Sequence, residues 1–399
     1  MKVNSVQEAR QIILDSITPT KKTEIIKLDM CINRVLGKTI KSQRTHPASD
    51  TSSMDGYAVA GSDKKKYPIT LKVLGEIQAG DSEKFSLSSE STVRVFTGSF
   101  LPKGTKKIIL QENCTRKDNS IIVSKHQNDC YIRKQGEDFF KDDSPLASPC
   151  LLNANKIALA GAMNFKELKV YKKPKIAVLA NGNELNEPGD KLNLNKQPAS
   201  TKPAIIALIK KWGGIPIDLG IAKDSVKSIK SRLKKGLKFD MIVTIGGASV
   251  GDYDLVYDSL RELNFKLNFW KINMRPGKPL MFGLYGKTPI LGLPGNPVSS
   301  IICSHLFLKQ SIFRLQNYYF EENIFELRTS KDLPKNGPRE HYMRAYLEKN
   351  SKNQLLVTPI DNQDSASLSS LSKADSLIIR SPKERKTSKN SYVKVINLK

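Results

Sequence analysis

Along this chain of 399 residues the spacing of apolar positions changes several times, and each change predicts a different kind of element. The start, MKVNSVQEARQIILDSI, has the pattern of an amphipathic helix, and EIIKLDMCINRVLGK at 24–38 continues as short helix or strand. THPASDTSSMDG at 45–56 then breaks the pattern with a proline and a cluster of small polar residues, a domain boundary. From 56 to about 140 the runs are short and alternating: ITLKVLGEI, TVRVFTG, KKIILQE and SIIVSKH predict the strands of a small β domain. Residues 144–170 are read as helical again and as packing back on the first segment, which makes the first domain discontinuous.

From Pro174 strand and helix patterns alternate regularly. KIAVLA, PAIIALIKKWG, IPIDLG, VKSIKSRLKKG, MIVTI and DLVYDSLREL follow one another, the signature of an open, mostly parallel sheet that takes its ligand at the carboxyl ends of the strands. A helix is expected over 297–315. Strand patterns return in HYMRAYLE, QLLVTPI, SLIIRS and YVKVINL, which predict a compact C-terminal β-barrel or sandwich. The expected fold class is therefore multidomain α/β and β. Its expected domains are 1–45 with 142–171, then 46–141, 172–318 and 319–399.

Composition narrows the functional classes. Hydrophobic residues make up 39% of the chain, no apolar run reaches membrane-spanning length, and the N-terminal helix lacks a signal-peptide core, so a cytoplasmic protein is expected. The five cysteines are scattered without a CxxC pair, which argues against a zinc or haem site and for reduced thiols. A net charge of +26 would suit nucleic acid, but the lysines are spread over the whole length with no recognition motif, so no specific nucleic-acid partner is expected.

Three blocks carry the candidate chemistry. FDMIVTIGGASVGDYD at 239–254, NMRPGKPLMF at 273–282 and ILGLPGNPVSS at 290–300 each run from a strand or its neighbour into a glycine turn. Gly246 and Gly247 clear side chains from a strand end, so that backbone N–H groups can face an anion. Ser249, Asp252 and Asp254 follow, and carboxylates so close to an anion call for a bridging divalent cation. Glu184 in NGNEL lies just past the first strand of the α/β region. Lys271, Arg275 and Lys278 are cations around the rigid Pro-Gly turn, suited to an oxyanion. Helix capping is an equal reading for Asn296 and an alternative for Asp252 and Asp254, as a simple turn is for Asp55-Gly56.

These blocks, with SSMDGYAVAG at 52–61 and VFTGSFLPKG at 95–104, closely resemble the molybdopterin molybdenumtransferase family, from about residue 5 to the C-terminus and in the family's order. The resemblance implies insertion of molybdate into adenylylated molybdopterin with release of AMP, dependent on Mg²⁺. It implies a homodimer in which Asp55, Thr97 and Asp138 of one subunit complete the α/β cleft of the other. Glu184, Asp252 and Asp254 would hold the metal, while Lys278, Arg344 (or Arg339) and Ser365 would line a molybdate pocket. Other proteins of molybdenum cofactor synthesis are possible partners. Two features depart from the family pattern: Asn183 stands where an Asp is usual, and Ala199-Ser200-Thr201 replaces Asp-Ser-Asn. These departures keep open a non-catalytic molybdopterin-binding or scaffolding role; a molybdopterin adenylyltransferase is the other alternative.

Overall fold

The structure, a computed structural model, describes residues 3–61, 67–81, 84–191, 194–246, 255–263 and 265–398. It divides into two compact units. One comprises Met1–Glu24, Asn33–Val35 and Val170–Lys399; the other comprises Ile25–Ile32 and Leu36–Lys169.

The larger unit opens with the expected amphipathic helix, Val6–Ser16, which buries Val6, Ala9 and Ile13. Its first turn is closed by a capping box: Ser5 Oγ accepts from the Glu8 N–H at 3.1 Å, and Glu8 Oε2 accepts from the Ser5 N–H at 2.7 Å. At the centre stands a six-stranded sheet in the order Ile215–Ala222, Lys175–Asn181, Met241–Ile245, Thr288–Leu293, Met281–Tyr285 and Lys266–Trp270. The first four strands are parallel; Met281–Tyr285 runs against them, and Lys266–Trp270, antiparallel to Met281–Tyr285, runs with them again. Every residue of Met241–Ile245 is buried, as expected of a strand covered on both faces. Ile229 and Leu233 of helix Val226–Gly236 and Val256 and Leu260 of helix Leu255–Arg261 cover one face, over Ala177, Leu179 and Ile242.

The expected helix over 297–315 is continuous but not uniform, because Pro297–Cys303 and Lys309–Leu315 are joined by a π-helical turn at Ser304–Leu308. Beyond it, five strands close into a barrel around Leu333, Met343, Ala345, Val357 and Ile378. Closure follows because Glu340–Lys349 pairs on one side with Leu355–Pro359 and on the other with Ser376–Arg380. No unpaired edge is then left among these strands.

The smaller unit holds a six-stranded sheet in the order Lys107–Leu110, Gly56–Val59, Ser91–Val95, Ile69–Ile77, Ser120–Val123 and Cys114–Lys117. Cys114–Lys117 lacks the apolar alternation of a strand because it is largely exposed; the ladder to Ser120–Val123 and the packing of Cys114 hold it. The helical reading of 144–170 needs correction. Only Ala154–Ala162 is helical, starting after Asn153, whose Oδ1 accepts from the Lys156 N–H at 3.0 Å. Before it the segment carries Pro145 and Pro149, which oppose a helix, and it runs extended beside 36–42, with Leu36 donating to the Cys150 carbonyl at 2.8 Å. Its partner, 36–42, belongs to the same unit.

Candidate active site

Four parallel strands end on one side of the large unit's sheet, and the turns leaving them form a cleft of about 910 Å³. Asn181, Gly182 and Glu184 lie at the end of Lys175–Asn181, Gly246 follows Met241–Ile245, and Gly295 and Asn296 follow Thr288–Leu293. Gly246 has φ +86°, and a Cβ there would stand 3.0 Å from the Asn181 carbonyl oxygen. Its place in the sequence block is thus required by backbone conformation and by contact with the neighbouring turn. Its N–H is tied to the Leu293 carbonyl at 3.2 Å, which locks the two turns together. Gly247, Ser249, Asp252 and Asp254 lie outside the described residues.

Ala199, Ser200 and Thr201 bring the first turn of helix Thr201–Lys211 into the same cleft. Ser200 is the N-cap but makes no side-chain capping bond, so the N-terminal N–H groups of this helix are not satisfied by their usual side-chain partner. Such an end favours anions. Asn296 likewise precedes a helix without capping it by its side chain. Its amide instead donates to Ser365 Oγ at 2.9 Å, while the Val298 N–H donates to the Ser365 carbonyl at 3.3 Å. These bonds seat the 362–368 loop on the cleft, and Ala366 and Leu368 complete its wall. Asn296 and Ser365, two sequence candidates 69 residues apart, are therefore direct neighbours.

The charged groups of the cleft are arranged in pairs. Asn183, the departure from the family pattern, is locked reciprocally to Asp224: its N–H donates to Asp224 Oδ2 at 2.8 Å, and the Asp224 N–H donates to Asn183 Oδ1 at 3.0 Å. An aspartate at 183 would set two carboxylates against each other here, so the amide relieves a repulsion and leaves Asp224 as the carboxylate in the cleft. The Glu184 carboxylate folds back over Gly182, its oxygens 2.5 and 2.6 Å from where a Cβ would sit. Sequence reasoning missed Asp224 and Lys202. The Lys202 side chain is 5% exposed and lies 2.5 Å from Glu187 Oε1 and 3.0 Å from Asp218 Oδ2. Burial pulls its pKa down, but the bonds to Glu187 and Asp218 outweigh that and raise it, so the ammonium stays charged. One signal was available: a lysine in the first turn of a helix opposes the dipole and needs a counter-charge.

The PGKP cations stand apart from the cleft lining. Arg275 and Lys278 are exposed on their turn, and Met274–Arg275 pairs in parallel with Glu340 and His341 of the barrel. That pairing brings Arg275 close to the barrel's own cations. His341 is 7% exposed, and its pKa is pushed down to about 4 by burial and then by the charges of Arg275, Arg380, Arg339 and Arg344. Arg344, expected to line the molybdate pocket, is deeply placed. It is 1% exposed, and its two terminal nitrogens already donate to the carbonyls of Ser367 at 3.2 Å and Asn362 at 3.0 Å. Burial also lowers its pKa from the ordinary value, opposed by Asp364.

In the smaller unit Asp55 and Thr97 meet, although 42 residues separate them. Asp55 Oδ1 accepts from the Thr97 N–H at 2.8 Å and from its hydroxyl at 2.9 Å, which holds the carboxyl below its usual pKa. Asp55-Gly56 is not a free turn, because Gly56 starts a strand and a Cβ there would lie 2.1 Å from the Ile109 carbonyl oxygen. Asp138 is exposed, and its backbone N–H donates to the His46 carbonyl at 3.2 Å. Among the described residues no group of three or more His, Cys, Asp or Glu side chains is arranged to hold a metal ion, and no helix is long and apolar enough to cross a membrane.

Comparison with known proteins gives a consistent picture along the chain. Family models match three consecutive regions: the MoeA N-terminal region (domain I and II) over 4–163, a probable molybdopterin binding domain over 177–314, and the MoeA C-terminal region (domain IV) over 326–398. A molybdopterin molybdenumtransferase of Haemophilus influenzae is 31% identical over 383 residues, covering 94% of each chain. One from Nostoc sp. is 31% identical over 353 residues, covering 85% of this chain and 81% of its own. In three dimensions the fold superposes on a molybdopterin biosynthesis moeA protein of Pyrococcus horikoshii with a TM-score of 0.84 at 25% identity, covering 99% of this chain and 100% of that one. Sequence, domain order and fold agree from end to end, and the chain belongs to the molybdopterin molybdenumtransferase family of transferases.

Proposed function

We propose that this protein inserts molybdate into adenylylated molybdopterin, with cleavage of the phosphoanhydride and release of AMP. The observation that carries this reading is the cleft at the strand ends, where the Gly246 turn and the open N-terminus of helix Thr201–Lys211 face the same space. A helix N-terminus suits the phosphates of the substrate, and a turn without a side chain at Gly246 leaves room for them. Asn296 supplies a polar contact for the pterin, with Ser365 bonded to it on the molybdate side, and a volume of about 910 Å³ falls within the range of small-molecule sites.

Molybdate would sit towards the barrel. Arg275, Arg339 and Lys278 are the cations offered to it, and Arg344 orders the loop that carries Ser365. Mg²⁺ is compatible with the hard oxygen donors of the cleft, Glu184 and Asp224, and bound there it would supply positive charge to the phosphates. Asp252 and Asp254 remain the further candidates as ligands. In a homodimer, Asp55, Thr97 and Asp138 of one copy would complete the cleft of the other. The cytoplasm and the company of other cofactor-synthesis proteins fit such a role.

Incubating purified protein with adenylylated molybdopterin, Mg²⁺ and molybdate tests the reading. The product should activate a molybdenum-free apoenzyme, and omission of molybdate should abolish this; a product that retains its adenylyl group and activates nothing would leave only a binding protein. Mixing Asp55→Ala and Glu184→Ala chains should restore part of the activity that each lacks, whereas no recovery would contradict a shared site.

A further inference from the structure

The two helices that open on the cleft also meet far from it. Lys211 and Trp212 end the first, and His305, Lys309 and Phe313 belong to the second; with Asn33 and Leu398 they line a separate cavity of about 210 Å³. His305 lies in the π-helical turn Ser304–Leu308, a local departure from α-helix that is frequent at functional sites. It is 7% exposed and stands edge-on to Trp212, with ring centroids 5.2 Å apart at 81°. A polar ring this buried gains from a hydrogen-bond partner in the cavity that it lines. Burial, then the charges of Lys309 and Lys211, push its pKa down to about 3, so the ring is neutral, with one N–H to donate.

The surrounding groups are mostly donors. The Lys309 ammonium lies 4.0 Å above the Phe320 ring and 3.2 Å from Glu322 Oε1, which leaves it further N–H bonds to give. Lys211 Nζ makes one long bond, 3.3 Å, to the Leu398 carbonyl. Helix Thr201–Lys211 points its negative end here, which opposes an anion by roughly half a charge. Lys210 and Lys211 in its last turn offset that. A cation would meet two ammonium groups; an anion meets donors.

We propose that this cavity binds a small oxyanion of the phosphate, sulfate or molybdate type between Lys211, Lys309 and His305. Trp212 reports on it directly. The chain has two tryptophans, so Trp270→Phe leaves Trp212 as the sole indole emitter. In that background, titration with phosphate, sulfate and molybdate at constant ionic strength should give a saturable change in emission, and the tightest of the three identifies the ion. Adding Lys211→Gln or His305→Gln should weaken that binding about tenfold or more. Lys211 is exposed, so its variant stays informative even if the buried His305 variant fails to fold. A change that chloride reproduces, or a saturable change that Lys211→Gln leaves untouched, overturns the proposal.

Discussion

Arg344 donates both terminal nitrogens to carbonyls of the loop that carries Ser365 and Ala366. Arg344→Ala should therefore lower stability by about 3 kcal/mol, the value of buried charge-assisted bonds, and weaken molybdate and pterin binding together. Urea unfolding and titration of both ligands would check this; a loss confined to molybdate would mean that the guanidinium reaches the oxyanion itself. His341 gives a pH prediction. Its pKa is depressed to about 4, below the ordinary value of 6.5, so the stability linked to its neutral form is complete above 6.5 and is lost as pH falls towards 4. In that window wild type should lose about 1.4 kcal/mol per pH unit from this group, and His341→Gln should flatten the slope in denaturant melts. His305, depressed to about 3, adds a slope of the same sign, so the variant keeps part of it. Glu184, Gly246 and Asn296 were legible in the sequence because each follows a recognisable strand. Lys202 and Asp224 were not, since their roles rest on partners 15 and 41 residues away.

Among the elements, regular apolar alternation made the central strands and helices of the α/β sheet readable almost to their ends. Elements held mainly by pairing were harder: Cys114–Lys117 buries too little to show a period. Glycine turns were readable in position but not always in purpose. Gly277 of PGKP has φ +103°, and a Cβ there would stand 2.4 Å from Cys303 Sγ, so this glycine lets the turn lie against helix Pro297–Cys303. Gly277→Ala should cost about 2 kcal/mol from backbone strain and overpacking. The double variant Gly277→Ala/Cys303→Ala should regain the packing share in thermal melts; no recovery would assign the whole cost to the backbone.

For the whole molecule, resemblance carried what periodicity did not. The βαβ alternation points to a sheet with a ligand at its carboxyl ends, but many chemistries use such a sheet. Only the succession of motifs, now matched by full-length relatives, selects this family. The charge of +26 belongs to this scale as well, as a field that favours anionic ligands in general. Molybdate-dependent release of AMP from adenylylated molybdopterin, followed in a rapid-quench experiment with purified protein, tests the central claim most directly. One AMP per bound substrate should appear when molybdate is added, and Glu184→Gln should slow that release at least tenfold without abolishing substrate binding. Tight binding of adenylylated molybdopterin with no AMP released upon addition of molybdate and Mg²⁺ would contradict the account.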